Sequence, residues 1–145
     1  MSVIIRQAKS ADHQRCSELL NVLAKATLDP HNIFSTETFE SLISNERGSL
    51  LVAVEGEDIL GMASISFNIA LRYNGEYCQL EELVVDSDAR GKNIGGLLIK
   101  NTISLAKKRG CKEFGLYLLD STKHNQSFYE KYGFIVIGAE MRQSL

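Results

Sequence analysis

An α/β fold is what this sequence predicts: helices on a mixed β-sheet, in the order β-α-α-β-β-β-α-β-α-β. Three observations predict it. Apolar residues keep helical spacing in two early stretches and again from Ile94 to Arg109. From Ser49 to Val85 the pattern becomes that of strands, broken by turn residues. The last third alternates strand and helix patterns once more.

Val3-Ile4-Ile5-Arg6 reads as a short first strand. Ser10 and Asp12 offer caps to a helix carrying Cys16, Leu19, Leu20, Leu23 and Ala24 on one face, and Asp29-Pro30 stops it. Ser35 or Thr36 caps a shorter helix bearing Phe39, Leu42 and Ile43, which ends between Asn45 and Gly48. Ser49 to Glu55 and Ile59 to Ile69 are β-compatible and flank the turn Gly56-Glu57-Asp58, a hairpin pattern. Asn74-Gly75 is a further turn, and Tyr77 to Val85 a further strand. The helix from Ile94 to Arg109 presents Leu97, Leu98, Thr102, Leu105 and Ala106 to a core, with Gly110 at its C′ position. Glu113 to Leu119 then reads as a strand, Asn125 to Tyr132 as a short helix and Phe134 to Gly138 as a strand. Residues after Glu140 add a brief last strand.

The 145 residues fit one domain, 1–145. A chain of that size buries roughly 68–70% of its unfolded surface, so one core sustains it without staples. A hydrophobic share of 44% with 23% charged residues is that of a soluble globular chain. A net charge of −2 without a basic stripe speaks against nucleic acid as a partner. The first residues lack a signal-type apolar region and no apolar run approaches about 18 residues, so no membrane partner is expected and the cytoplasm is the expected location. Cys16, Cys78 and Cys111 are odd in number and widely spaced, which suits a reducing compartment and no disulfide framework. His13, His31 and His124 are equally scattered, and no metal site is expected.

The most informative segment is L-V-V-D-S-D-A-R-G-K-N-I-G-G-L-L, Leu83 to Leu98. A strand enters a glycine-bearing turn and a helix leaves it. The first amides of a helix lack intrahelical acceptors and lie at the positive end of its dipole, so the turn can cradle a phosphate. Arg90 and Lys92 add positive charge; as ordinary solvated surface residues they would look the same. Neither G-x-x-x-x-G-K-[ST] nor a G-x-G-x-x-G after the first strand is present.

The turn resembles motif A of the Gcn5-related N-acetyltransferases, [RQ]-x-x-G-x-[GA], with Arg90 opening it and Gly95 closing it. Asn93 stands at the middle glycine, and Asn is the non-glycine residue that best tolerates a left-handed backbone. F-Y-E-K-Y-G-F, Phe128 to Phe134, resembles motif B of that family, and L-E-E-L-V-V, Leu80 to Val85, resembles its central strand. A weaker resemblance links the R-G-x-N-[IV]-G variant to aminoalkylphosphonate N-acetyltransferases and the Glu81-Glu82 pair to diamine N-acetyltransferases. The resemblance implies a three-layer sandwich with a central, mixed and splayed sheet and helices on both faces. It also implies a single N-acetyltransferase domain that moves acetyl from acetyl-CoA to the primary amine of a small molecule.

By resemblance, Leu83, Val84 and Val85 lie along the pantetheine arm, and the amides of Arg90, Gly91, Lys92, Asn93, Ile94, Gly95 and Gly96 hold the pyrophosphate. Asn125 contacts the pantetheine or caps its helix. Tyr129 matches the tyrosine facing the thioester sulfur, where a phenol with an ordinary pKa near 10 can protonate the departing thiolate; otherwise it is a core aromatic. Amine acetylation needs a base. Glu81 and Glu82 are the candidates, through water because Gln79 replaces a Glu found in some relatives; as bland residues they form a solvated edge or a salt bridge. A regular strand shows only one of two adjacent residues to a cleft, whereas a bulge shows both. Two further function classes stay open: an enzyme acetylating proteins or peptides, and a non-catalytic acyl-CoA-binding sensory domain. A homodimer is also left open.

Overall fold

A computed structural model describes residues 2–145. Strand β1 (Val3–Gln7) leads through a 3-10 turn into α1 (His13–Thr27), then α2 (Thr36–Ser44). Three long antiparallel strands follow, β2 (Gly48–Glu55), β3 (Asp58–Ala70) and β4 (Gly75–Val85). Helix α3 (Ile94–Arg109), a two-residue β5 (Phe114–Gly115) and a short α4 (Gln126–Glu130) complete the order. The sheet runs β1-β2-β3-β4-β5, antiparallel except for the parallel β4–β5 pair. Among the described residues, no helix is long and apolar enough to cross a membrane.

Local chemistry explains the element ends. Leu28 closes α1 in the left-handed region, just before Asp29-Pro30. The Ser35 hydroxyl caps α2 by accepting the Thr38 amide at 3.1 Å. Asp12 does not cap α1 with its side chain. Its carboxylate accepts Arg6 Nη1 at 2.8 Å and the Lys9 amide at 2.8 Å, which ties β1 to α1 and holds its pKa below the usual carboxylate range. Gly110 ends α3 with φ +85°, as the C′ position requires.

Strand alternation sorts the core into two layers. Leu51, Ala53, Ala63, Ile65 and Cys78 face α3 and its buried Ile94, Leu98 and Ile99. Leu50, Val52, Val54, Met62 and Val84 face Cys16, Leu19 and Phe39 of α1 and α2. Helices on both faces of one mixed sheet make the expected three-layer sandwich.

Four expected elements differ. The strand expected over Glu113 to Leu119 shrinks to Phe114–Gly115, because β5 bonds β4 only opposite Cys78 and Gln79 and then parts from it. The strands expected over Phe134 to Gly138 and after Glu140 are irregular chain, since no sheet edge pairs with them. The helix expected over Asn125 to Tyr132 is a 3-10 turn, Asp120–Asn125, followed by the five residues of α4.

Gly61 is a point of close approach between the sheet and α3. A Cβ there would lie 2.9 Å from the Val84 carbonyl oxygen and 3.0 Å from Ile94 Cγ2. Gly61→Ala should therefore destabilise the fold by about 1–3 kcal/mol, because a backbone carbonyl cannot swing aside as a side chain does. Urea unfolding of the variant checks this.

Candidate active site

The site begins with one extra residue. Ser64 of β3 pairs with Glu82, but its neighbour Ile65 pairs with Leu80, so Glu81 is a bulge in β4. A bulge cancels the usual alternation, and both Glu81 and Glu82 line one cleft. The Ser66 hydroxyl donates to Glu81 Oε2 at 2.6 Å. The Ser64 hydroxyl donates to Glu82 Oε1, and its oxygen accepts the Glu82 amide at 3.1 Å. Burial pushes the Glu82 carboxyl above its usual range; the Ser64 bond opposes this, and the charges of Glu81 and Asp29 add to it.

The bulge also changes which amides point where. The Cys78 amide donates toward β5, to the Glu113 carbonyl at 2.8 Å, and the Asp86 amide donates the other way, to Leu60 of the β2–β3 side at 2.8 Å. Backbone groups alternate sides along a strand. Between these two fixed points the extra residue shifts the phase. The amides of Leu83 and Val85 therefore face the β5 side, where β5 has already parted from β4. Val84 keeps its backbone toward β3, with its carbonyl against Gly61.

This splay opens into a cleft of about 470 Å³ between the sheet and the α1–α2 layer. Leu116 to Leu119 form one wall, and Leu20, Leu23 and Phe34 another. Asn125 and Tyr129 reach the same cleft from the α4 end. Asn125 stands at the N-cap of α4 but makes no side-chain cap bond, so capping does not account for it. Tyr129 packs against Phe128 and Phe134, with ring centroids 5.1 and 6.0 Å away. Burial raises its phenol above the ordinary value, so it is protonated at neutral pH. Cys16 lines the cleft as well, but burial pushes its thiol up to about 11, which keeps it from acting as a thiolate.

At the far end of β4 lies the turn. Asn93 is left-handed at φ +56° and Gly91 at φ +87°, which holds the turn where the sequence has Asn in place of glycine. Asn93 makes no side-chain cap, and the first intrahelical bond is Leu97 N–H to Asn93 O at 3.0 Å. The amides of Ile94, Gly95 and Gly96 thus start α3 without intrahelical acceptors. Gly95 and Gly96 also admit α4: a Cβ on Gly95 would sit 3.3 Å from Phe128 Cζ, and one on Gly96 would collide with Asn93 Oδ1 and the Tyr132 hydroxyl. Arg90 is exposed beside the turn, whereas Lys92 turns away to pair with Glu55 at 2.8 Å.

The structure therefore brings Glu81, Glu82, Leu83, Asn125 and Tyr129 to the cleft and gathers Arg90 to Gly96 at the turn beyond Val85. Sequence reasoning missed Ser64 and Ser66. Their signal was present: two hydroxyls at period two inside the apolar run from Ile59 to Phe67. It missed Asp29 and Arg142 at the cleft as well, and neither belongs to a pattern.

Comparison with known proteins agrees with this geometry. A family model described as Acetyltransferase (GNAT) family matches residues 16–134. A probable glucosamine 6-phosphate N-acetyltransferase 2 of Oryza sativa subsp. japonica is 34% identical over 71 residues, 49% of this chain and 41% of that protein. A thialysine N-epsilon-acetyltransferase of Sus scrofa is 28% identical over 145 residues, covering 91% of this chain and 84% of that one. The chain spans about half the length of the first curated relatives it matches. Among solved structures, a transcriptional regulator from Bacillus halodurans C-125 superposes with a TM-score of 0.88 at 27% identity over 99% of both chains. A glucosamine-6-phosphate N-acetyltransferase from Arabidopsis thaliana gives a TM-score of 0.82 at 25% identity, again over 99% of both. The family match begins in α1 and ends just past α4, so it takes in the bulge, the splay and the turn together, and on that ground the chain belongs to the acetyltransferase (GNAT) family.

Proposed function

We propose that the chain, as a single N-acetyltransferase domain over 1–145, transfers acetyl from acetyl-CoA to the primary amine of a small molecule in a ternary complex. The observation that carries this reading is one cleft holding a half-buried carboxyl, a protonated phenol and unpaired strand amides. The residues fit acetyl-CoA: α3 starts uncapped, Gly91 has open space above it and Arg90 is exposed. The named activities of the relatives on glucosamine 6-phosphate and thialysine support a small amine acceptor. Three unpaired cysteines suit the cytoplasm.

An alkylammonium becomes nucleophilic only after losing a proton. Glu82 takes that proton, directly or through water, and its raised pKa makes it a stronger base than an ordinary carboxylate. Glu81 adds negative charge that draws the cation in. The amine attacks the thioester carbonyl, which the Val85 amide polarises from the splayed edge. Tyr129 then protonates the thiolate as CoA leaves. No acyl-cysteine intermediate is involved, because the cleft thiol is held protonated. The pyrophosphate lies on the amides from Arg90 to Gly96, with Leu83, Val84, Val85 and Asn125 along the pantetheine.

Acetyl-CoA at 100 times its dissociation constant should stabilise the protein by about 2.7 kcal/mol. Arg90→Glu should lose much of that thermal shift while turnover at saturating cofactor holds, since the pyrophosphate is remote from the reacting carbon. An absent shift in the wild-type protein would sink the cofactor assignment.

Glu82→Gln should lower kcat/KM for amines by roughly 10²–10⁴ while acetyl-CoA still binds. In the wild-type protein the rate should climb as pH rises through the raised Glu82 pKa, because only the carboxylate accepts a proton. The variant should lack that limb, and a pH–rate profile of thiol release checks both points.

Tyr129→Phe should cut kcat toward the lower end of that range, about 10²-fold, with acetyl-CoA affinity within a few-fold. Unchanged turnover across pH in a folded, binding-competent variant would leave Tyr129 a packing residue only.

A further inference from the structure

Two walls bound the cleft, and the proposed acetyl-CoA complex uses only one. In that complex the pantetheine follows the free amides of Leu83 and Val85 on the β5 side, where Leu116 to Leu119 form the wall. The opposite wall, from α1, α2 and the chain between them, is left to the acceptor. It is apolar, lined by Leu20, Leu23, Ile33, Phe34, Phe39 and Leu42. Phe34 stacks on Phe39 with ring centroids 5.8 Å apart and meets the His13 ring edge-to-face at 5.0 Å, which fixes it in place. Ile33 is 87% exposed, an apolar side chain that its own fold leaves uncovered.

Charge separates the two ends of the site. The exposed Arg90 lies at the phosphate turn, whereas the cleft holds the carboxylates of Glu81, Glu82 and Asp29. Burial pushes the Glu82 carboxyl up and the charge of Asp29 adds to it, so the two open on one space. Among the described residues, the basic side chains lining the cleft are His31 and Arg142, and both are taken. His31 Nδ1 meets the Asp29 carboxylate at 2.9 Å. Arg142 donates to Glu140 Oε1 from Nη2 at 2.6 Å and from Nε at 3.1 Å, and its guanidinium lies 5.4 Å from the centre of the Tyr117 ring. A carboxylate or phosphate entering here would shed water, face three carboxylates and find no free cation. An ammonium on an apolar body meets the reverse on every count.

Resting on acetyl transfer at this cleft, we propose that the acceptor is a primary amine on an uncharged hydrocarbon body, and that amines bearing a carboxylate or phosphate are rejected. The body lies along Phe34 and Leu23, which makes Phe34 a specificity-determining residue. The ammonium gives its proton to Glu82, the nitrogen bonds the acetyl carbon, and the thioester C–S bond breaks. CoA then leaves as the thiol, with the proton of Tyr129.

Thiol release from acetyl-CoA by the full chain tests this with 2-phenylethylamine, ethylamine, phenylalanine and glucosamine 6-phosphate. The value of kcat/KM for 2-phenylethylamine should exceed that for ethylamine, which lacks the ring, by about 10–10²-fold. It should exceed that for phenylalanine, which differs by one carboxylate, by at least about 10²-fold. Phe34→Ala should shrink the ratio of 2-phenylethylamine to ethylamine by about 10-fold. That ratio is the same however much of the variant folds. Phenylalanine or glucosamine 6-phosphate acetylated as fast as 2-phenylethylamine would overturn the acceptor class and leave acetyl transfer standing. So would a wild-type ratio near one, or a ratio that Phe34→Ala does not move. Thiol release with none of the four overturns it too, and a missing acetyl-CoA thermal shift in the same protein would show that the transfer reading fails with it.

Discussion

The site depends on one residue too many in β4. The bulge at Glu81 brings two adjacent carboxylates to one face and reverses the direction of every amide beyond it. Without it, Glu81 would face away from Glu82, and the amides of Leu83 and Val85 would be spent on β3. Disrupting a ladder costs hydrogen bonds, and burying the Glu82 carboxyl costs more. The hydroxyls of Ser64 and Ser66 offset part of both, because each donates to one of the glutamates and Ser64 also accepts the displaced amide. The balance raises the proton affinity of the Glu82 carboxylate, the property the proposed base needs.

The rest of the fold supplies what the bulge requires. β5 stays bonded to β4 for only two residues and then diverges, so the freed amides face open space rather than another strand. Gly61 lets α3 and β4 approach, which fixes the turn against the end of the reactive strand. Gly95 and Gly96 let the aromatic residues of α4 seat on the first turn of α3, and α4 in turn carries Tyr129 into the cleft. The glycines of the turn therefore serve packing as well as open backbone, and the α4 aromatics depend on them.

Local features were legible in the sequence because local chemistry decides them. Asn93 adopts the left-handed backbone its side chain tolerates, Ser35 caps α2, and β2 to β4 form over the stretches whose β-compatible composition and flanking turns mark them. The glutamate pair was readable only as a choice between a regular strand and a bulge, since register depends on the partner strand. Ser64 and Ser66 would have pointed to the bulge had the two strands been aligned first. The stretches 116–119 and 134–138 read as strand and are not, because β pairing is non-local and neither stretch bonds to an edge within the chain. Asp29 and Arg142 reach the cleft where chain segments distant in sequence converge, and no local pattern announces them.

The account rests on the phase of the amides beyond the bulge. Residue-resolved hydrogen exchange by NMR, with and without CoA, reads that phase directly. The Leu83 and Val85 amides should exchange rapidly in the free protein and become protected when CoA binds, while Val84 and Asp86 stay protected in both states. Protection of Leu83 and Val85 in the free protein, or indifference of both to CoA, would contradict it.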